Sequence, residues 1–271
     1  MSGRGNRFSR RAGRRGGGKD KLGIVLIALA LSALASMAVA GVMLRAPPTD
    51  PDTLCRTDAP VQAHTYILVD ATDRLEPRHR RKLRAVVQQE RQRLRPYDRL
   101  TIASLRADRP QEPRLLFSLC NPGDGRDANP LFQNTRHAQE RWEQAFGAEL
   151  DSAVRRASGG RGGAASPIAA GLRAVAADPD FGAEIPARRL VLISDLLEHE
   201  REGFSLYAAN ADFARYRATG AAIPDLDNVA VRVAPLDRPD DAARQAAARG
   251  EFWPAYFSEA GAQRVEFDPQ P

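Results

Sequence analysis

The hydrophobic period changes several times along the chain, and each change predicts an element. Residues 22 to 44, "LGIVLIALALSALASMAVAGVML", hold no charged side chain over 23 positions. About 20 apolar residues suffice for a helix to cross a bilayer core, so this stretch predicts a transmembrane helix. "PPTDPDTLCRTDAP" (47 to 60) is rich in proline, threonine and aspartate and predicts a linker. "HTYILVD" (64 to 70) is a continuous apolar run closed by a polar turn, the pattern of a strand buried on both faces. "EPRHRRKLRAVVQQERQRL" (76 to 94) sets Leu83, Val86, Val87 and Leu94 on one stripe among charges and predicts an amphipathic helix.

The alternation continues. "RLTIASLRA" (99 to 107) and "RLLFSLC" (114 to 120) predict two strands with a turn between them. A long helical composition through residue 157 is closed by the glycine-rich loop "SGGRGGAA" (158 to 165). Ser166 followed by Pro167 has the form of an N-cap and a first helical position, opening "IAAGLRAVAA". "RRLVLISD" (188 to 195) repeats the buried-strand pattern; a helix near 206 to 217, a strand at 228 to 235, a helix within 239 to 260 and a strand at 263 to 268 follow. Strands alternating with helices predict an α/β fold, a doubly wound, mostly parallel sheet with one antiparallel edge strand, preceded by the transmembrane helix. The expected division is a basic tail over 1 to 21, the span over 22 to 44, a linker over 45 to 61 and one domain over 62 to 271.

Charge alters this picture only when it is located. The formal net charge is +6, yet residues 1 to 21 carry eight basic side chains against Asp20, which leaves the rest of the chain at −1. Nucleic acid is therefore not an expected partner. The cationic flank places the tail in the cytoplasm and everything after Arg45 outside. In a bacterium that means a single-pass inner-membrane protein with a periplasmic domain. The rival is a cleaved signal peptide ending at Ala38-Val39-Ala40; the apolar run is longer than a signal h-region and continues past the triplet, so an anchor is expected. "GRRGGGKD" (13 to 20) matches a phosphate-loop pattern but carries Asp20 in place of the hydroxyl residue, with no strand before it. Cys55 and Cys120 both lie beyond the span, where a disulfide is expected; closing such a loop contributes on the order of 4 kcal/mol.

In open α/β sheets ligands bind beyond the carboxyl ends of strands, where the winding reverses. Asp70 and Asp195 both end apolar strands, and Ser166 follows the glycine loop. In element order and in these residues the chain, over roughly 62 to 269, resembles the von Willebrand factor A domain. The metal-ion-dependent adhesion site of that family has an Asp-x-Ser-x-Ser segment, a loop hydroxyl and a distal Asp. The resemblance implies that Asp70 is the first acid, Thr72 the first hydroxyl, Ser166 the loop hydroxyl and Asp195 the distal acid. Together they would hold Mg²⁺ or another divalent cation that completes its shell with a carboxylate from a partner protein of the cell envelope. Arg74 departs from the pattern, standing where the family has its second Ser. A guanidinium there repels a cation and can pair with Asp70 or Asp195 instead. With Arg74 turned to solvent, Asp73 or a water would substitute and the metal mode would return.

Two other readings stand beside this one. A phosphatase of the haloacid dehalogenase type also opens on an apolar strand ending in Asp, but its second Asp would fall at position 72, which is Thr, and the next acid is Asp73. A purely structural envelope anchor needs no site at all. His64, His79, His137 and His199 show no metal-ligand spacing, and no Ser sits in a nucleophile elbow, so catalysis is not expected. Trp142 with Phe146, and Phe252, Trp253, Tyr256 and Phe257, are expected in the core.

Overall fold

The computed structural model describes residues 17–43, 47–127, 134–160 and 163–269. Contacts divide the chain into two units, residues 1–47 and 48–271. In the first unit, helix α1 spans Gly17–Met43 over 27 residues. Its large apolar side chains, among them Leu22, Ile24, Leu29, Leu34, Met37 and Val39, stand exposed. Among the described residues no helix is long and apolar enough to cross a membrane. The tail up to residue 16 and the side chains of residues 38 and 40–44, part of the expected span, lie outside the described residues.

The second unit is built on six strands: β1 Ala63–Val69, β2 Arg99–Ser104, β3 Arg114–Cys120, β4 Ala187–Ser194, β5 Val229–Pro235 and β6 Arg264–Phe267. They lie in the order β3-β2-β1-β4-β5-β6. Every pairing is parallel except β2 with β3, where the short turn permits an antiparallel edge. The winding reverses between β1 and β4, in the register Val69 opposite Ile193.

Side chains alternate across the central strands, so each face receives its own core. Ile67, Val69, Val191 and Ile193 face one layer, made by α2 (Pro77–Arg93), α3 (Thr135–Trp142) and α4 (Ala148–Ala157). Tyr66, Leu68, Leu190 and Leu192 face the other, made by α5 (Ile168–Ala176), α6 (Phe213–Ala218) and α8 (Trp253–Glu259), with α7 (Ala242–Ala247) preceding α8. The expected aromatic groups are buried as two sets, Trp142 with Phe146 in the first core and Phe252, Trp253, Tyr256 and Phe257 in the second. The helix anticipated from residue 206 begins only at Phe213. Asn210 takes a positive φ of 54°, and the Asp212 carboxylate caps the helix by accepting from the Arg215 N–H at 2.8 Å.

The segment anticipated as a linker is folded onto the body from Pro48 onward. Cys55 and Cys120 form a disulfide across a separation of 65 residues, and the Cys120 N–H donates to the Thr53 carbonyl at 2.8 Å. The bridge ties the chain leaving the first unit to the antiparallel edge strand.

His64 opens β1 almost fully buried. Its Nδ1 meets the Asp180 carbonyl at 2.8 Å, which can only accept, so the proton sits on Nδ1; Nε2, 2.7 Å from the Thr101 hydroxyl, accepts from it. Burial depresses the His64 pKa from 6.5 to about 4. A depressed histidine binds fewer protons folded than unfolded in that window, so its contribution is full above pH 6.5 and lost as pH falls through about 4. His64→Gln is expected to remove this acid limb, measured as the denaturation midpoint against pH.

Candidate functional site

Asp70 follows the last residue of β1, where its N–H still donates to the Ile193 carbonyl of β4 at 2.8 Å. The backbone thereby carries the first acid across the reversal toward the second. Asp70 is 5% and Asp195 6% exposed, so both carboxylates sit below the surface and must be satisfied there. Three hydroxyls serve Asp70. Thr72 donates to Oδ1 at 2.6 Å, and Ser166 and Ser194 donate to Oδ2 at 2.7 and 2.8 Å. The Thr72 N–H adds a 3.2 Å bond to Oδ1.

Ser166 therefore does not cap α5. The helix starts at Ile168 with Pro167 before it, and the Ser166 hydroxyl is turned to Asp70 instead. Its backbone pairs in both directions with His199, at 2.8 and 2.9 Å, which locks the glycine loop to the segment after β4. Gly160 shows why that loop is glycine-rich. A Cβ there would meet the Ala71 and Asp73 carbonyls at 2.5 and 2.4 Å, so only glycine lets the loop lie against the turn that bears Asp70.

Asp195 accepts from the Leu197 N–H at 3.0 Å through Oδ1 and from Arg238 Nε at 2.9 Å through Oδ2. The other arm of Arg238 pairs with Asp73, so one guanidinium bridges the loops after β1 and β4. Gln245 fixes the bridge: it accepts from the Arg238 N–H at 2.8 Å and donates to the Asp195 and Leu236 carbonyls at 2.8 and 2.9 Å. Burial, and after it the neighbouring Asp70, pushes the Asp195 pKa up to about 7, against the Leu197 N–H and Arg238. Leu196, next in sequence, holds a φ of 67°, a strained position for a branched residue. It is pinned by the Ser194 hydroxyl on its N–H and by Trp253 Nε1 on its carbonyl, each at 2.9 Å.

The geometry thus brings together Asp70, Thr72, Ser166 and Asp195, and it leaves Arg74 out. Arg74 is exposed and, among the described residues, makes no ion pair; the guanidinium that neutralises Asp195 comes from Arg238. Ser194, Arg238, Gln245 and Glu198 were not legible as site residues. Glu198 is fully buried behind the rim, accepts from the Ala169 N–H at 2.7 Å at the start of α5, and is held well above the usual carboxylate range by burial. A crevice of about 360 Å³ opens at the rim, lined by Thr72, Asp73, Ser166, Asp195, His199 and Tyr207 among others.

These donors fit a directly bound dication poorly. Mg²⁺ requires near-octahedral oxygens at about 2.0 to 2.1 Å. The position of the second family hydroxyl is Arg74, and a guanidinium stands on Asp195, where it competes with a cation for the carboxylate. Among the described residues no three His, Cys, Asp or Glu side chains are placed to hold a metal ion.

No family model matches the chain, and no curated protein matches it. Solved structures do. One is "von Willebrand factor type A from Catenulispora acidiphila", at 14% identity and a TM-score of 0.39, over 78% of this chain and 39% of that one. This chain therefore spans about two fifths of that protein's length. Another is an aerotolerance-related membrane protein from Bacteroides fragilis NCTC 9343, at 10% identity and a TM-score of 0.33, over 77% of this chain and 92% of that one. The sheet itself, six strands with one antiparallel edge, is consistent with a von Willebrand factor A-like fold.

Proposed function

We propose that this chain is a membrane-anchored binding protein of the bacterial envelope, which engages a partner protein through the rim around Asp70 and Asp195, and that Arg238 supplies there the positive charge that a metal ion supplies in the adhesion sites the chain resembles. The single observation that carries the proposal is the convergence of Asp70, Thr72, Ser166 and Asp195 at the reversal between β1 and β4, with Arg238 clamped on the distal acid. Arg238 is a quarter exposed and Asp73 about half exposed, so the clamp borders the crevice rather than the core. Anchoring is supported by the uncharged stretch from Leu22 to Leu44 and by apolar side chains standing exposed along the described part of α1. The cationic tail supports a cytoplasmic N-terminus and a periplasmic domain, and the disulfide agrees with an oxidising compartment.

Binding is favoured over catalysis because three hydroxyls and a backbone N–H already engage the Asp70 carboxylate, so neither oxygen stands ready to attack a phosphate. The test is site-directed photocrosslinking in intact cells. A photoreactive residue at Tyr207, exposed at the crevice, is expected to trap a discrete adduct, and Asp195→Ala is expected to abolish it. One at Arg264, on the far edge strand, is expected to give none. Equal adducts at both positions, or an adduct indifferent to Asp195→Ala, would sink the rim as a binding site.

A further inference from the structure

On the α2 layer, a groove of about 840 Å³ runs between α2 and the helices α3 and α4. Its floor is apolar, with Val87, Trp142, Leu150 and Val154 all buried. Its α2 wall is a single stripe of Arg80, Arg84, Gln88 and Arg91, spaced as side chains on one helix face. Glu143, Asp151 and Arg155 stand on the opposite wall. One end, at Ser158 and Gly159, adjoins the glycine loop that leads to Ser166.

Basic charge on this groove exceeds acidic charge, with Arg80, Arg84, Arg91 and Arg155 set against Glu143 and Asp151. Helix α2 carries seven basic residues against Glu90, which is turned into the protein. Among the described residues, Arg80, Arg84 and Arg91 make no ion pair, while Arg189, Arg232 and Arg238 elsewhere are all paired. Arg80 and Arg84 are four residues apart, so they repel one another along the helix. The Arg91 guanidinium lies over the Trp142 ring at 4.8 Å, and its Nε is buried with no hydrogen-bond partner among the described residues. Opposite it the helix passes through a π-turn at Glu143–Gly147, a distortion concentrated at functional sites. Gly147 allows Trp142 to lie close, since a Cβ there would meet the ring at 2.7 Å.

We propose that this groove receives an acidic amphipathic helix from a partner protein, with its apolar stripe on the Val87, Leu150 and Val154 floor and its carboxylates on Arg80, Arg84 and Arg91. Charge complementarity selects this occupant. From Arg80 to Arg91 the wall is roughly 16 Å long, which matches about three helical turns. An anionic bilayer fits less well, because Glu143 and Asp151 on the far wall oppose a plane of phosphates, and the floor is recessed. The two acids instead match basic residues on the same incoming helix. This surface is independent of the Asp70 rim and stands or falls separately from it.

The test uses the full chain in detergent micelles and a fluorescein-labelled synthetic peptide of about four helical turns, with leucines at i, i+4, i+7 and i+11, glutamates along the flank that meets α2 and lysines along the flank that meets Glu143 and Asp151. Saturable anisotropy is expected. It should weaken at least about tenfold in Arg80→Glu/Arg84→Glu and in Arg91→Ala, whose folding is checked by circular dichroism, and weaken likewise for a scrambled peptide of the same composition. No binding by the wild type, or binding indifferent to scrambling or to charge reversal, overturns the proposal. So does a shift in tryptophan emission on moving the chain from phosphatidylcholine nanodiscs to ones containing phosphatidylglycerol, if Arg84→Glu abolishes it, because that assigns the groove to lipid headgroups.

Discussion

Glu90→Ala is expected to destabilise the folded domain by about 3 kcal/mol, because it takes from Arg189 its acid partner and from Arg232 one of two. Glu90 is fully buried and lies between Arg189 of β4, 2.8 Å from Oε2, and Arg232 of β5, 2.6 Å from Oε1. Arg232 is itself only 8% exposed and continues the network to Asp268 at 2.8 Å and to Gln89 at 2.7 Å. The Coulomb gain of such a network roughly offsets the desolvation of its members, so its presence contributes little, but removing its central anion leaves Arg189 with no acid partner and Arg232 with Asp268 alone. Glu90→Gln keeps the shape and an acceptor, and is expected to lose about half as much. Urea unfolding followed by tryptophan emission measures both. A loss below about 1 kcal/mol for Glu90→Ala would mean that Arg189 and Arg232 reach water without it.

Arg238→Ala is expected to cost about 1.4 kcal/mol more near pH 8 than near pH 5, the free energy of holding Asp195 protonated about one pH unit above its folded pKa of about 7. The asymmetry follows from the sign of the Asp195 shift. Its pKa is raised from 3.8 to about 7, so the folded state binds more protons than the unfolded state in that window. Stability from this group is therefore highest at low pH and falls as pH rises toward 7. In that window it runs opposite to His64. Without Arg238 the carboxylate loses its nearest cation, its pKa rises further, and the penalty for ionising it grows above pH 7. Near pH 5 Asp195 is protonated in both proteins and the clamp matters little. Asp195→Asn in the same background should remove most of the pH dependence; if the cost of Arg238→Ala were the same at both pH values, the clamp would not be acting on an ionised Asp195.

What could be read in the sequence was whatever a period or a strand end encodes. Apolar runs ending at Val69 and Ser194 gave away β1 and β4, and with them the arrival of Asp70 and Asp195 at one edge. The element order also yields the antiparallel edge, because nine residues between Ser104 and Arg114 are too few for a crossover helix. The partners of those acids were hidden, for physical reasons. Arg238 is one arginine in a chain full of them, and only the adjacency of β5 to β4 sets the turn after Pro235 beside Asp195. Ser194 sits inside an apolar strand, where a hydroxyl reads as neutral filling. Ser166 before Pro167 has the form of a helix cap, and its donation to Asp70, 96 residues away, is a tertiary contact that local propensity cannot register. Arg74 was legible as the departure from the adhesion pattern, with an ion pair to an acid and a turn to solvent both open; the structure turns it to solvent, and the guanidinium on Asp195 is that of Arg238.

The central claim is that an arginine occupies the role of a cation at this rim, and calorimetric titration of the full chain in detergent with Mg²⁺ and Mn²⁺ tests it most directly. The expected result is no saturable heat and no rise in melting temperature with either ion. Saturable heat accompanied by a thermal stability gain, both lost in Asp195→Ala, would show that the cation displaces Arg238 and would contradict the account.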